Sequence, residues 1–342
     1  MANDLQSALN LPPIDQIGFV VKDLSQAMKA YEPLFGPFTT MDPGEMVFDY
    51  RGVPTASEIR LAFGRSGDVE IELIEWISGG TPHKEFLDAG SSVLTLNSYA
   101  CTPQRLSRFG QENLFEKLQR MSAKAAKAAK ESNPKYKDIK IAGCLPPLEG
   151  SYKSKLDIDM NEALATYKEI VKIQKNEVDF FICETMSSIE EALMAYEAAS
   201  ISGKPVFISF CVTESDGSKL ISKEKLFDAC HTFNKKNISA FAINCCQFEV
   251  VEHSLEIFKK FSLPFGVLPN GFKTVKPLKP GMSVDVLEKR VDVKPSMFVE
   301  YAMKWIESGC GFVGGCCEIG PEFINLLSDK IISSKLNIKN LI

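Results

Sequence analysis

From about residue 82 onward the chain repeats one pattern: a short run of apolar or β-branched residues, a turn, then a longer segment whose apolar residues recur at helical spacing. The runs predict strands near 91–97, 138–143, 178–183, 205–211, 239–244, 264–268 and 311–314. The segments after them predict helices near 104–131, 157–175, 187–202, 222–236, 247–261, 295–308 and 320–335. Alternation of this kind belongs to parallel strands joined by crossover helices. Seven consecutive pairs fall one short of an eightfold barrel, and no glycine-rich phosphate turn follows the first strand as it would in an open doubly wound sheet. The expected fold class is therefore α/β, a (β/α)8 TIM-type barrel with an unusual strand-rich segment at its N-terminal end.

That architecture gives the polar residues a meaning. Asn97, Tyr99, Cys144, Glu184, Cys245, Asn270, Cys316 and Cys317 fall at or just past the C-terminal ends of predicted strands, the face on which barrels build active sites. With 342 residues and 45% hydrophobic content the chain can bury a large core, and a net charge of -5 argues against a nucleic-acid partner. It has no run of about 18 apolar residues and no signal-like start, so no membrane association and a cytoplasmic location are expected, with ten reduced cysteines. Cys101, Cys144, Cys183, Cys211, Cys230 and Cys310 read as inert thiols, since free cysteine is among the most buried residue types. His231 and His253 read as solvated helix positions, the lysine-rich run 124–130 as a solvated helix face, and 334–340 as a solvated tail.

The cysteines at two strand ends carry the candidate chemistry. Gly314-Gly315-Cys316-Cys317 follows the apolar run Gly311-Phe312-Val313 and makes a close-approach corner. Adjacent cysteines are poorly placed for a disulfide with each other, and their better use is to offer two thiolates to one soft metal ion. A thiolate zinc site needs a third or fourth ligand, and Asn244-Cys245-Cys246, directly after Ala240-Phe241-Ala242-Ile243, offers one.

Asn244-Cys245 followed far downstream by Gly314-Gly315-Cys316-Cys317 resembles the homocysteine S-methyltransferase family, the zinc barrels that include the betaine-homocysteine and S-methylmethionine-homocysteine enzymes. The resemblance spans roughly residues 85–330. It takes in Ala89 through Tyr99, Ala142-Gly143-Cys144-Leu145-Pro146-Pro147 with Ser151-Tyr152, Cys183-Glu184-Thr185-Met186, and Leu268-Pro269-Asn270. It implies that Cys245, Cys316 and Cys317 hold Zn2+, that Glu184 takes the amino group of homocysteine, and that Asn97, Tyr99, Asn244 and Asn270 belong to the substrate site. No residue is assigned as catalytic acid, base or nucleophile. The implied activity moves a methyl group from a small sulfonium or ammonium donor to homocysteine, giving methionine. Betaine, S-methylmethionine, a sulfonium osmolyte and S-adenosylmethionine all fit as donor, and a homo-oligomeric assembly stays open.

The first 80 residues follow another pattern. Ile14 through Leu24, the helix-like stretch 24–34 and Val69 through Glu75 resemble one βαβββ module of the vicinal-oxygen-chelate (glyoxalase-like) superfamily, continuing into 81–87. Gln16 and Glu72 stand where that superfamily can place metal ligands, but a full site usually takes two modules, and pairing on an alternating, half-exposed strand is the reading adopted. The chain thus divides into a module or replacement barrel unit at 1–80 and a zinc-binding methyltransferase barrel at 81–342. The Asp-Gly-Gly strand with which the methyltransferase family opens is not found. An open barrel leaves two unpaired edges, so strand 69–76 and helix 82–89 are expected to fill the vacant first place, with Glu75 and Gly79-Gly80 standing for the missing motif. The alternative function is a glyoxalase-like metal-binding module fused to a catalytically impaired barrel.

Overall fold

The computed structural model describes residues 16–21, 23–50, 53–78, 82–278, 282, 284–334 and 336, and the chain divides between Pro82 and His83 into two compact units. The first unit runs β1 (Gln16–Val21), α1 (Leu24–Phe35), β2 (Thr39–Met41), β3 (Glu45–Tyr50), β4 (Val53–Ser66) and β5 (Val69–Ser78). Asp23 caps α1 by accepting a hydrogen bond from the Gln26 amide at 2.9 Å, satisfying one of the free donors of a helix start. Leu24 from α1 then packs on Ala62, Ile71 and Leu73, the alternate residues that give one sheet face its apolar surface. On strand β5 the intervening Glu70 and Glu72 alternate with this apolar set. Gln16 Nε2 donates to Glu70 Oε1 at 3.0 Å, whereas Glu72 stands opposite Gly18 in the register.

The place of β5 corrects one expectation. Its Glu70–Glu75 stretch pairs in parallel with β1 on one edge, and its residues from Val69 to Ser78 pair antiparallel with β4 on the other. Both rows of backbone donors and acceptors are thereby used, so β5 cannot also fill the first place of a barrel. Gly79 and Gly80 lie outside the described residues.

The second unit opens with α2 (Pro82–Asp88) and β6 (Val93–Thr95), and continues through α3 (Pro103–Leu106), α4 (Phe115–Glu131), β7 (Lys140–Leu145), α5 (Met160–Gln174), β8 (Phe180–Met186), α6 (Ile189–Ser200) and β9 (Val206–Phe210). A small hairpin, β10 (Val212–Thr213) and β11 (Asp216–Leu220), interrupts the repeat before α7 (Leu226–Asn234). Then come β12 (Ala240–Asn244), α8 (Val251–Phe258), β13 (Phe265–Leu268), α9 (Pro295–Glu307), β14 (Phe312–Val313) and α10 (Pro321–Ser333). Strands β6, β7, β8, β9, β12, β13 and β14 pair in that order, each parallel to the next, which is an α/β fold of TIM type. Among the described residues the sheet has seven strands, with β6 and β14 at its ends.

Alternation along the strands builds two cores. Phe180 and Ile182 join Ala142, Phe207, Ala240 and Phe312 on one sheet face, while Phe181 and Cys183 turn to the other and pack among the helices. The Phe207 and Phe312 ring centroids are 5.4 Å apart. Gly266 makes that possible, because a Cβ there would lie 2.1 Å from Phe312 Cε2. The long helix expected over 104–131 is instead broken: Pro103 starts α3 behind a Thr102 cap, and Gly110, at φ +63, ends a short 3-10 turn that follows it. A left-handed residue stops a helix, and glycine adopts that conformation at little cost.

Candidate metal centre

Strand β12 delivers Cys245 and strand β14 delivers Cys316 and Cys317. The Cys245 amide donates to the Leu268 carbonyl at 2.9 Å, and the Cys316 amide donates to the Pro269 carbonyl at 2.8 Å, so both loops are pinned to the end of β13. Gly315 allows the corner between them, since a Cβ there would lie 2.3 Å from Ile319 Cβ. Cys245 itself sits at φ +54, in the left-handed region that costs a non-glycine residue about 1–2 kcal/mol. Thr185 (φ 60) and Tyr152 (φ 62) share that conformation, and both border this site. Strained backbone of this kind collects at functional sites, where the surroundings over-determine it.

The three sulfurs converge. Cys245 Sγ lies 2.7 Å from Cys316 Sγ and 3.8 Å from Cys317 Sγ, and Cys316 and Cys317 are 4.0 Å apart. These cysteines are the one group of three or more metal-ligating side chains of this kind among the described residues. A tetrahedral zinc with Zn–S bonds of about 2.3 Å keeps its sulfur ligands about 3.8 Å apart. Two of the spacings already match, and the third needs Cys245 and Cys316 to part by about an ångström, so the donor set fits such an ion. Hydrogen bonds from Cys245 and then Cys316 push the Cys317 thiol down to about 4, while bonds with Cys245 and Cys317 push Cys316 up. Hydrogen bonding within the trio therefore favours the thiolate form at Cys317 over that at Cys316. Tyr152 adds a fourth contact by donating its hydroxyl to Cys245 Sγ at 3.1 Å.

The neighbouring thiols behave differently. Cys246 is buried, and burial pushes it up to about 12, while its carbonyl accepts from the Asn270 amide at 2.9 Å. Burial also raises Cys144, Cys183, Cys211, Cys230 and Cys310, which suits inert thiols.

Around the trio lies a polar rim. Glu184, near the end of β8, is half-buried, and burial pushes its carboxyl up to about 7 against the opposing pull of a Cys144 hydrogen bond and the Arg105 charge. A carboxylate poised in this way gains from an incoming cation. Tyr99 donates to or accepts from Ser151 Oγ at 2.7 Å and lies under the Arg105 guanidinium, 4.9 Å from its ring centroid. Burial raises the Tyr99 hydroxyl, and the charges of Cys245 and Glu184 add to the rise, which puts all three in one electrostatic neighbourhood.

The amides are arranged less simply. Asn97 is exposed just past β6. Asn270 is buried, with Oδ1 accepting from the Phe272 amide at 3.1 Å. Asn244 is buried and engaged: Oδ1 accepts from the Thr185 amide at 2.8 Å and from Ser209 Oγ at 2.7 Å, while Nδ2 donates to Thr185 Oγ1 at 2.7 Å. It ties the end of β12 to the residue after Glu184. Glu191 went unnoticed in the sequence because it lies in an acidic first helical turn, where exposed carboxylates are common. It is 2% exposed, accepts from the Leu148 amide and the Tyr167 hydroxyl at 3.1 Å each, and burial pushes it up to about 7.

Comparisons with known proteins place this geometry in context. The family model described as homocysteine S-methyltransferase matches residues 80–331, and that of the glyoxalase/bleomycin resistance protein/dioxygenase superfamily matches residues 15–142. Homocysteine S-methyltransferase 1 of Arabidopsis thaliana is 27% identical over 272 residues, covering 72% of this chain and 80% of the relative. Betaine–homocysteine S-methyltransferase 1 of Bos taurus is 25% identical over 264 residues, covering 73% of this chain and 63% of the relative. Among solved structures, the metallated form of the homocysteine methyltransferase MmuM from Escherichia coli superposes with a TM-score of 0.60 at 22% identity, covering 73% of this chain and 83% of that one.

Proposed function

Because the chain belongs to the homocysteine S-methyltransferase family, we propose that it carries out zinc-dependent transfer of a methyl group from a small sulfonium or ammonium donor to homocysteine, giving methionine. The observation that carries this reading is the convergence of three thiols from loops 71 residues apart in sequence. Cys245, Cys316 and Cys317 would hold the ion and leave one tetrahedral position free. When bound, zinc supplies the Lewis acidity that keeps a substrate thiol ionised at neutral pH.

The chain's own residues do the rest by placement. Glu184 receives the ammonium group of homocysteine and is held as a carboxylate by it. Tyr99 and Tyr152 line the approach with apolar rings and fix their hydroxyls on Ser151 and Cys245, which limits water near the sulfur. In the transfer the substrate sulfur's electron pair forms the new S–CH3 bond as the donor's C–S or C–N bond breaks. The leaving electron pair stays on a neutral sulfide or amine, so no acid or base is needed on the chain.

Metal analysis tests the centre. Purified protein is expected to carry about one zinc per chain, and Cys316→Ala or Cys317→Ala is expected to lose most of it, since each removes a ligand. Cys246→Ala is expected to keep it. Full zinc retention in both ligand variants would sink the assignment.

A further inference from the structure

Arg105 is a half-buried cation with no carboxylate within ion-pair distance among the described residues, although Glu184 and the buried Glu191 both feel its charge. Its Nε and one terminal nitrogen both donate to the Pro147 carbonyl, at 3.2 and 2.9 Å, and its face lies over the Tyr99 ring. A guanidinium has five donors in a planar fork, and one carbonyl oxygen engages only one side of it. A partly dehydrated charge without a directly paired counter-ion is costly, and a planar fork matches a carboxylate in two parallel hydrogen bonds.

The position of that free side can be traced by contacts. Tyr99, under the guanidinium, bonds Ser151, and the next residue, Tyr152, bonds Cys245 of the sulfur trio. The Arg105 charge is also felt at Glu184 and at Cys144, which it pulls down against their burial. A cation, an anion and a sulfur-binding centre thus share one rim. An amino-acid thiol presents the complementary set: a carboxylate, an ammonium and a sulfur.

We propose that Arg105 is the anchor for the substrate's α-carboxylate, so that the rim reads homocysteine as a zwitterion, with Arg105 and Glu184 taking its two charges. This rests on the methyl-transfer reading and adds to it what selects an α-amino acid over a simple thiol. A purely structural Arg105, clamping the 145–149 loop through Pro147, is the competing account.

The test compares homocysteine with 3-aminopropane-1-thiol, which lacks only the carboxylate. Binding of each to the zinc-loaded protein is measured by calorimetry without methyl donor, which separates a homocysteine carboxylate from one on the donor. Wild type is expected to prefer homocysteine by about 10- to 100-fold, the range of a charge-assisted hydrogen-bonded pair. Arg105→Gln, which can still donate to Pro147, is expected to lose most of that preference with zinc content and aminothiol affinity unchanged. Arg105→Lys is expected to keep part of it, as a point charge without the fork. A preference that survives in Arg105→Gln, or a loss equal for both thiols, would overturn the anchor. If Arg105→Gln does not fold, a wild-type preference near unity or an undiminished one in Arg105→Lys overturns it equally. Wild type that binds neither thiol would overturn the methyl-transfer reading as well.

Discussion

Glu191 shows how far a single residue can depart from what its sequence neighbourhood suggests. In the run Ser188-Ile189-Glu190-Glu191 both carboxylates look like ordinary first-turn acids, yet only Glu191 turns inward, where Leu148 and Tyr167 hold it. The fold raises its carboxyl from 4.5 to about 7, chiefly by burial, so the folded chain binds this proton more tightly than the unfolded one. Its contribution to stability is therefore fully present below about pH 4.5 and is lost as pH rises through about 7. Glu191→Gln keeps an acceptor for Leu148 and removes the ionisation. It is expected to match wild type at pH 5 and to exceed it at pH 8 by about 2–3 kcal/mol, read from denaturant midpoints at the two pH values. Parallel pH profiles for the two proteins would rule this out. The cysteines were far more legible, because adjacent thiols after two glycines have few uses. Arg105 and Tyr152 were not, since their roles depend on which loop each meets across the rim.

At the scale of elements, alternation exposed nearly everything that repeats. The predicted strand at 239–244 is observed as Ala240–Asn244 and that at 264–268 as Phe265–Leu268, because apolar runs between turns allow little else. What alternation hid were the interruptions. The hairpin β10–β11 and the broken start of the 104–131 segment rest on local turn chemistry, at Thr213–Asp216 and at Gly110, which carries no periodic signal. The break matters for the site because it leaves Arg105 in a short helix whose capping Thr102 donates to Leu148 beside Pro147. Asn244 performs a similar service between strand ends. Expected from resemblance at the substrate site, it is joined through both amide atoms to Thr185 and Ser209 and so holds the left-handed Thr185 beside Glu184. Asn244→Ala leaves the buried Thr185 amide unsatisfied and is expected to cost about 1–3 kcal/mol in denaturant stability. It is also expected to weaken homocysteine binding with zinc retained. Stability and binding both unchanged would mean that this network does not hold the strand ends in register.

For the molecule as a whole, one physical argument from the sequence led the wrong way. Unpaired sheet edges invite aggregation, and that cost favoured recruiting the strand 69–76 into the barrel. The cost depends on edge length, however, and the two end strands are the shortest of the sheet: β6 has three residues and β14 two. Short edges present few free backbone groups, which is one of the ways natural sheets avoid pairing with other chains. Residues 69–78 were thus free to complete a five-stranded βαββββ unit of their own, with Leu24, Ala62, Ile71 and Leu73 as its separate core. Neither fact could be read from the pattern of apolar residues, because strand length at an edge and strand partnership are both decided in three dimensions. The pairing has a direct consequence for truncation. Every backbone ladder of the seven-stranded sheet, and all three clustered thiols, lie after His83. A chain beginning at His83 is therefore expected to remain soluble and monodisperse and to retain about one zinc per chain, checked by light scattering and metal analysis. Aggregation or loss of zinc on this deletion would mean that the short edges do not suffice and that the sheet cannot stand without the residues before His83.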